Sequence, residues 1–441
     1  MDTPLAAATD LTRQDYPVSK RYAWFVFALT FLLMLFDFID RQIVVSMFPV
    51  LKAEWNLSDT QLGALVSVVA LTVGLGAVPV ALLADRWSRV KSIFVMATIW
   101  SLATIACSFA GNYTQLFAAR SVIGIGEAGY GPVGGALLAS LFPSRLRASI
   151  LGAFTAAATV GGVLGVVLGG VISARWGWQA AFGIVGVPGL LLALCYLLVR
   201  DYRTVALVDP AAGSASEKMG AWKTAAALFR APSSVAAYVG AAMQLFLVST
   251  LYAWLPSYLN RAYDLPPDKA GIKAAIVLLV GSLGAAVWGL AADRISRKRP
   301  RNKFKLMAFC CSATFAILTF AFGWLPPGDA QFLAIVVGGF VMTGTLGTAA
   351  AVAMDVVHSG LRSTAVAMIT LAQNLLGLAA GPLISGALSD AYGLSTALTV
   401  MPSFCLLAAV AFLLGARTYE RDLQNVDQTA VTFEPRAKTT V

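Results

Sequence analysis

Charge is scarce in this chain. Only 12% of its 441 residues are Asp, Glu, Lys or Arg, about half the share usual in a soluble protein, and 58% are hydrophobic. So few polar residues cannot cover a globule of this size, and the natural solvent is lipid. Histidine is almost absent: His358 stands alone, which removes His-ligated metal sites and His relays. The five cysteines, Cys107, Cys195, Cys310, Cys311 and Cys405, each sit in an apolar run without metal-ligand spacing, as small packing residues do. No Ser/His/Asp set, metal cluster or phosphate-binding loop is present, and no polar segment is longer than 200–232. These absences argue against an enzyme and call for no cofactor.

Long hydrophobic runs fill the space instead. A membrane-spanning helix needs about 20 apolar residues, and twelve such segments can be read. In the first half they are 22–50, 59–84, 92–111, 114–141, 146–174 and 179–199. In the second half they are 233–260, 269–292, 304–325, 330–357, 362–389 and 394–416. The expected organisation is a polar tail at 1–21, a six-helix bundle at 22–199, and a linker at 200–232 containing DPAAGSASEK. A second six-helix bundle at 233–416 and a tail at 417–441 complete it. The opening tail carries Arg13, Lys20 and Arg21, and the span after it is too long for a signal core.

Basic residues set the expected orientation, since cytoplasmic loops of membrane proteins are enriched in Lys and Arg. Of the 32 Lys and Arg, 25 fall in the segments on the same side as the termini and 5 on the other, with Arg41 and Arg120 inside spans. Both termini are therefore expected in the cytoplasm, in a plasma (inner) membrane. The net charge of +10 then reports topology, and nothing points to nucleic acid. The halves also repeat: ALLADRWSRVK at 81–91 is answered by GLAADRISRKR at 289–299, and LRAS at 146–149 by LRST at 361–364. Two parallel bundles of this kind suit a transporter that rocks one against the other.

With these residues in view the chain resembles the major facilitator superfamily. Its Gly-xxx-Asp-Arg-xx-Arg loop signature occurs twice, with Ala81 in place of the first glycine in the first copy, and RSVIGIGEAGYGP at 120–132 resembles the fourth-helix signature. GGVLGVVLGG at 161–170 resembles the glycine-rich fifth helix without the Gly-Pro step of drug antiporters. DFIDRQIV, GIGEAGYGP, VHSGLRSTAVAM and NLLGLAAGPLISGALSD are most similar to the spinster branch of lipid and lysolipid transporters, from which the chain departs at Leu378 and Gly381-Pro382. The anion:proton symporter branch for sugar acids shares the first-span Asp-Arg and the fourth-span Glu-Ala. The resemblance implies an all-α fold of two pseudo-symmetric six-helix bundles around a central cavity, a secondary transporter rather than an enzyme.

Ionisable residues inside the spans are the candidate site. An ionisable group at mid-membrane costs about 2.5 kcal/mol or more and is functional by default, yet LMLFDFIDRQIV at 34–45 holds Asp37, Asp40 and Arg41. At 1.5 Å per residue, Asp40 lies roughly 15 Å and Glu127 roughly 19 Å from the outer ends of their spans, both near the middle of a layer about 30 Å thick. Asp40 and Glu127 are the candidate proton carriers. Arg41, permanently charged and bidentate, together with Glu127 is the candidate holder of an anionic group. Asp37, four residues before Arg41, is placed to pair with it, and Arg120, two turns before Glu127, to support the site.

The remaining candidates are weaker. Tyr252, Trp254, Gln373 and Asn374 are the candidate substrate contacts from the second half, with Tyr258 beside them. Asp85, Arg86 and Arg89, and their copy Asp293, Arg294 and Arg297, are read by resemblance as a cytoplasmic gate. Asp355 reads as a gate or cap residue.

Three functions fit. The first is a proton-coupled, alternating-access carrier of an amphipathic organic anion, a lysophospholipid or related lipid. The second is a proton symporter of a small organic anion. The third is a non-transporting sensor on the same fold. The partners expected are the bilayer, the anionic substrate and protons, with the protein a monomer.

Overall fold

The computed structural model of the protein describes residue 16 and residues 18–200, 228–297, 299–357 and 361–430. Among them are twelve helical spans long and apolar enough to cross a membrane. The first half contains α1 (Lys20–Trp55), α2 (Asp59–Arg86), α3 (Arg89–Cys107), α4 (Tyr113–Glu127), α5 (Tyr130–Leu141), α6 (Ser144–Trp176) and α7 (Trp178–Cys195). The second contains α8 (Pro232–Ala262), α9 (Pro267–Ser296), α10 (Asn302–Gly323), α11 (Asp329–Met342), α12 (Leu346–Asp355), α13 (Arg362–Ala372), α14 (Ala380–Tyr392), α15 (Leu394–Val400) and α16 (Phe404–Ala430). The pairs α4–α5, α11–α12, α13–α14 and α15–α16 each make up one span. Most of the expected linker at 200–232 lies outside the described residues.

Four spans that read as continuous in sequence are interrupted, each for a local reason. Between α4 and α5, Ala128 is extended and Gly129 takes φ +92°, a conformation cheap only for glycine. Pro132 then lacks the N–H that would have bonded back to the Ala128 carbonyl. The span breaks one residue after Glu127. Between α13 and α14 the residues Gln373–Ala379 form a wide π turn, and short 3-10 turns at Thr343–Thr345 and Met401–Ser403 interrupt two more spans.

Helix ends carry their own signals. Ser58 caps α2 by accepting from Gln61 N–H, while the Gln61 side chain accepts from Ser58 N–H, a reciprocal capping box. Asn56 ends α1 in the left-handed conformation at φ 52°. At the same end Trp178 donates to Glu54 at 2.7 Å.

Packing inside the first half centres on α1 against α6. Gly161, Gly165 and Gly169 recur every fourth residue, and a Cβ on any of them would lie under 3.0 Å from the carbonyls of Leu35, Ile39 and Ile43. Lipid supplies no hydrophobic drive between helices, so close backbone approach through small residues is what holds them. The stripe fixes α1 in rotation and depth, and with it Asp37, Asp40 and Arg41. The halves meet where α2 packs on α14 and on the π turn, where α6 packs on α9, and where α1 meets α8. At the last, Phe48 and Trp254 pack ring to ring at 5.3 Å.

Gly165→Leu is expected to destabilise the first half by at least about 1–3 kcal/mol, the usual cost of overpacking a tight contact. Thermal unfolding in detergent, compared with a lipid-facing Leu164→Ala control, measures it.

Candidate functional site

On α1, Asp37 and Arg41 share a face as an i, i+4 pair, and Asp40 points about 100° away from Arg41 around the helix. The structure places them in two groups. In the first, Arg41 Nε lies 3.0 Å from Glu127 Oε2 and 3.4 Å from Asp37 Oδ1, and Nη2 also donates to Asp37 Oδ1 at 3.4 Å. The Phe38 ring lies 5.2 Å below the guanidinium. Glu127, the last residue of α4, thus shares one guanidinium with Asp37 of α1.

The second group lies deeper. Asp40 is 1% exposed, and neither of its oxygens has a hydrogen-bond partner meeting normal geometry. Its surroundings are Arg120 of α4 and Thr104 and Cys107 of α3. Arg120 is equally buried, donates from Nε to the Leu65 carbonyl at 2.9 Å, and leaves Nη1 unbonded. It therefore braces α4 on α2 while serving as the nearby cation for Asp40, in keeping with the supporting place expected for it.

Three acids thus face two arginines in one half. With every group ionised their formal sum is one negative charge, and neither guanidinium can practically release a proton. Arg41 is the exposed member: its side chain is 22% accessible, against 3% for Asp37 and none for Glu127. Asp37, expected to pair with Arg41 in support of the site, does pair with it.

The second-half candidates divide. Tyr252, Gln373 and Asn374 are half-buried; Asn374 donates to the Thr370 carbonyl and packs on Gly74 of α2. Trp254 does not line an open space: it is fully buried, and its indole N–H is taken by the Pro382 carbonyl at 3.1 Å. Tyr258 is also buried, and its hydroxyl accepts from Gln331 at 2.9 Å. Asp355 is a brace within the second half, accepting from Lys303 at 2.9 Å and from Tyr419 at 2.7 Å.

The expected gate is only partly visible. Asp85 and Arg86 end α2 with side chains outside the described residues, and Arg89 opens α3. Asp293, Arg294 and Arg297 are exposed at the matching end of α9.

At the opposite end, remote from the termini, is a network that sequence reading missed. Asp59, the first residue of α2, is 2% exposed and receives both terminal nitrogens of Arg261 from α8, each at 2.7 Å. Lys52 and Ser389 donate to the same carboxylate. Asp390 of α14 accepts from the backbone N–H groups of Asp59 and Thr60 at 2.7 and 2.8 Å and from the Thr60 hydroxyl at 2.6 Å. The capping-box sequence Ser58-Asp59-Thr60-Gln61 was the available signal, but it announces only a helix start.

Comparison with known proteins gives this arrangement its context. Residues 30–379 match the model of the Major Facilitator Superfamily. The chain belongs to the major facilitator superfamily. Among its relatives, the probable L-galactonate transporter of Escherichia coli (strain K12) is 26% identical over 90% of each chain. Protein spinster homolog 1 of Xenopus laevis is 28% identical over 85% of this chain and 74% of its own. Among solved folds, a bacterial homolog to the human lysosomal transporter spinster, crystallised in an inward-facing and unoccupied conformation, superposes with a TM-score of 0.84 at 24% identity. That match covers 92% of this chain and 99% of the other. As a major facilitator protein the chain is a multi-pass membrane transporter of small molecules and not an enzyme.

Arg41→Gln leaves the Asp37 and Glu127 carboxylates buried without their cation, and losing one partner of such a cluster costs about 3–5 kcal/mol. The variant is expected to unfold at lower temperature than the wild type at pH 8 and to recover part of the difference at pH 5, where protons replace the missing charge. Paired thermal melts at the two pH values check this.

Proposed function

We propose that the protein is a proton-coupled secondary transporter that moves an amphipathic organic anion by alternating access. The observation that carries the reading is the Arg41 guanidinium, partly accessible on one side and held by Asp37 and Glu127 on the other. A substrate anion competes with these carboxylates for the cation. A proton taken up by the carboxyl pair weakens their hold and frees Arg41 for the anion. Proton and anion therefore favour the same state of the site, and linkage makes each raise the affinity for the other by the same factor. In this scheme they cross together. Asp40, facing Arg120 without hydrogen-bond partners, is a second proton carrier whose charge the first group senses.

The substrate class follows from the surroundings and the relatives. A guanidinium over an aromatic ring matches a carboxylate or phosphate head group, and Tyr252 and the polar Gln373–Asn374 step are the contacts proposed for the second half. Similarity to spinster homologs supports a lysophospholipid or related lipid. Near-complete coverage by the E. coli L-galactonate relative favours a second reading, a small organic anion such as a sugar acid. The excess of Lys and Arg on the terminal side supports cytoplasmic termini and residence in the plasma (inner) membrane, and the self-contained site suits a monomer.

Proteoliposomes with an imposed pH gradient, given a panel of lysolipids and small organic acids, test the proposal. Lysolipids are expected to accumulate under the gradient or to compete for uptake. A small carboxylate that moves while lysolipids neither move nor compete selects the second reading. Glu127→Gln is expected to abolish gradient-driven accumulation while sparing exchange at equal pH, and unchanged accumulation would remove Glu127 from coupling.

A further inference from the structure

The Tyr-Gly-Pro tail of the fourth-helix signature, residues 130–132, has no part in the chemistry above, although it follows directly on the break after Glu127. Tyr130 opens α5 and is fully buried. Its ring packs edge-on against Trp100 of α3 at 5.2 Å, and its hydroxyl donates to the Thr30 carbonyl of α1 at 2.7 Å. Thr30 precedes Asp37 by seven residues, two turns of α1, and so lies on the same face. Tyr130 follows Glu127 by three. The α4–α5 span is therefore joined to α1 twice on one side. One joint is the ionic contact of Glu127 with Arg41; the other, nearer the end of α1 that carries the terminus, is this neutral hydrogen bond.

The break needs such anchoring. No side chain caps α5, and Gly129, between Glu127 and Tyr130, has the freest backbone of any residue type. Before the break, a Cβ on Gly124 would lie 2.6 Å from the Val69 carbonyl of α2, and one on Gly126 2.7 Å from the Trp100 amide nitrogen of α3. The end of α4 is thereby seated on α2 and α3. After the break, Tyr130 seats the start of α5 on α1, and Glu127 is held between the two seats. A phenyl ring would fill the same space. The buried hydroxyl has to find a partner, and the one it finds is on the helix that carries Asp37 and Arg41.

We propose that Tyr130 is the positioning residue of the Arg41–Glu127 contact. Its hydrogen bond carries no charge, so it persists when a proton weakens the ionic contact and fixes the place to which the carboxyl returns. Facing Glu127 are Arg41 and Asp37 of α1, with Asp40 of α1 and Arg120 of α4 beyond them. From α2 and α3, Val69, Thr72 and Trp100 meet the end of α4. A cation close to a carboxyl favours its ionised form. Without the Tyr130 bond Glu127 sits less firmly on Arg41 and holds a proton to higher pH. That consequence rests on reading Glu127 as a proton carrier; the positioning itself rests on the geometry.

Tyr130→Phe removes the hydroxyl and keeps the ring. Tyr196→Phe is the control: Tyr196 is equally buried and its hydroxyl bonds the Thr30 side chain, but it lies in the 3-10 turn after α7, away from the break. Each variant loses one buried hydrogen bond, so both are expected to lower thermal stability alike. Infrared pH-difference spectra read the protonated carboxyl band of Glu127, assigned by its loss in Glu127→Gln. Tyr130→Phe is expected to raise the proton affinity of that carboxyl about 2- to 10-fold, the worth of one net hydrogen bond, and Tyr196→Phe to leave it unchanged. A second measurement needs no titration. In thermal melts Tyr130→Phe is expected to cost less on an Arg41→Gln background than in the wild type, while Tyr196→Phe costs the same in both.

The positioning role is overturned if the Tyr130→Phe band appears at its wild-type pH, or if Tyr196→Phe moves it equally. Tyr130 then only stabilises the fold, and the proton-carrier reading is untouched. A wild-type Glu127 that keeps one protonation state from pH 5 to pH 9 removes the proton-carrier reading instead. The melts then decide the positioning, and equal cost of Tyr130→Phe on both backgrounds overturns it.

Discussion

A single guanidinium shared by two buried carboxylates organises this molecule. Removing charge from water is costly enough that an isolated ion at mid-membrane neutralises or finds a partner. Arg41 has two partners, one on its own helix and one at the broken end of α4, so the ions are stable only while α1 and α4 keep their relative positions. That requirement accounts for much of the first half. The glycine stripe of α6 fixes α1, Arg120 ties α4 to the α2 backbone, and the interruption after Glu127 lets the span change course without pulling the carboxylate from its cation.

The site is also slightly overfilled with acid. Its three carboxylates exceed its two arginines by one, and Asp37 and Glu127 both lie against the one Arg41 guanidinium. A cluster balanced charge for charge would have less reason to exchange protons. In the proposed cycle the surplus acid is what makes the affinity of Arg41 for an anion depend on pH, with no moving part beyond a proton.

Sequence made the architecture legible because hydropathy and the doubled Asp-Arg-x-Ser-Arg loop are each spread over many positions. It brought Asp37, Asp40, Arg41 and Glu127 to one depth, since rise per residue is enough for that. It could not show which carboxylate faces which cation, because that depends on helix rotation. Arg120 was expected only to support the site, and that it does so beside Asp40 while bracing α4 on the Leu65 carbonyl was not legible. Trp254 was misread for a similar reason: an aromatic near a span end looks the same in sequence whether it faces a cavity or plugs the gap between two helices. The Asp59 network escaped because the partners Asp59 finds in the second half, Arg261 and Ser389, are more than 200 residues away and each member has an ordinary local explanation as a cap, a loop cation or a helix end.

One feature of the site reaches beyond its own chemistry. Every ionisable group in it belongs to the first half, and the second half offers only Tyr252, Gln373 and Asn374 as uncharged candidates toward the substrate. In the proposed cycle the proton carriers and the cation for the head group then belong to the first half, and the contacts for the rest of the substrate to the second. Substitutions in α8 or around the π turn can reshape what is recognised without disturbing the ions that are to couple it to a gradient. Such a division lets one chassis diversify its cargo while keeping its engine. Relatives with such different names as an L-galactonate transporter and a spinster homolog can then align along most of one and the same chain.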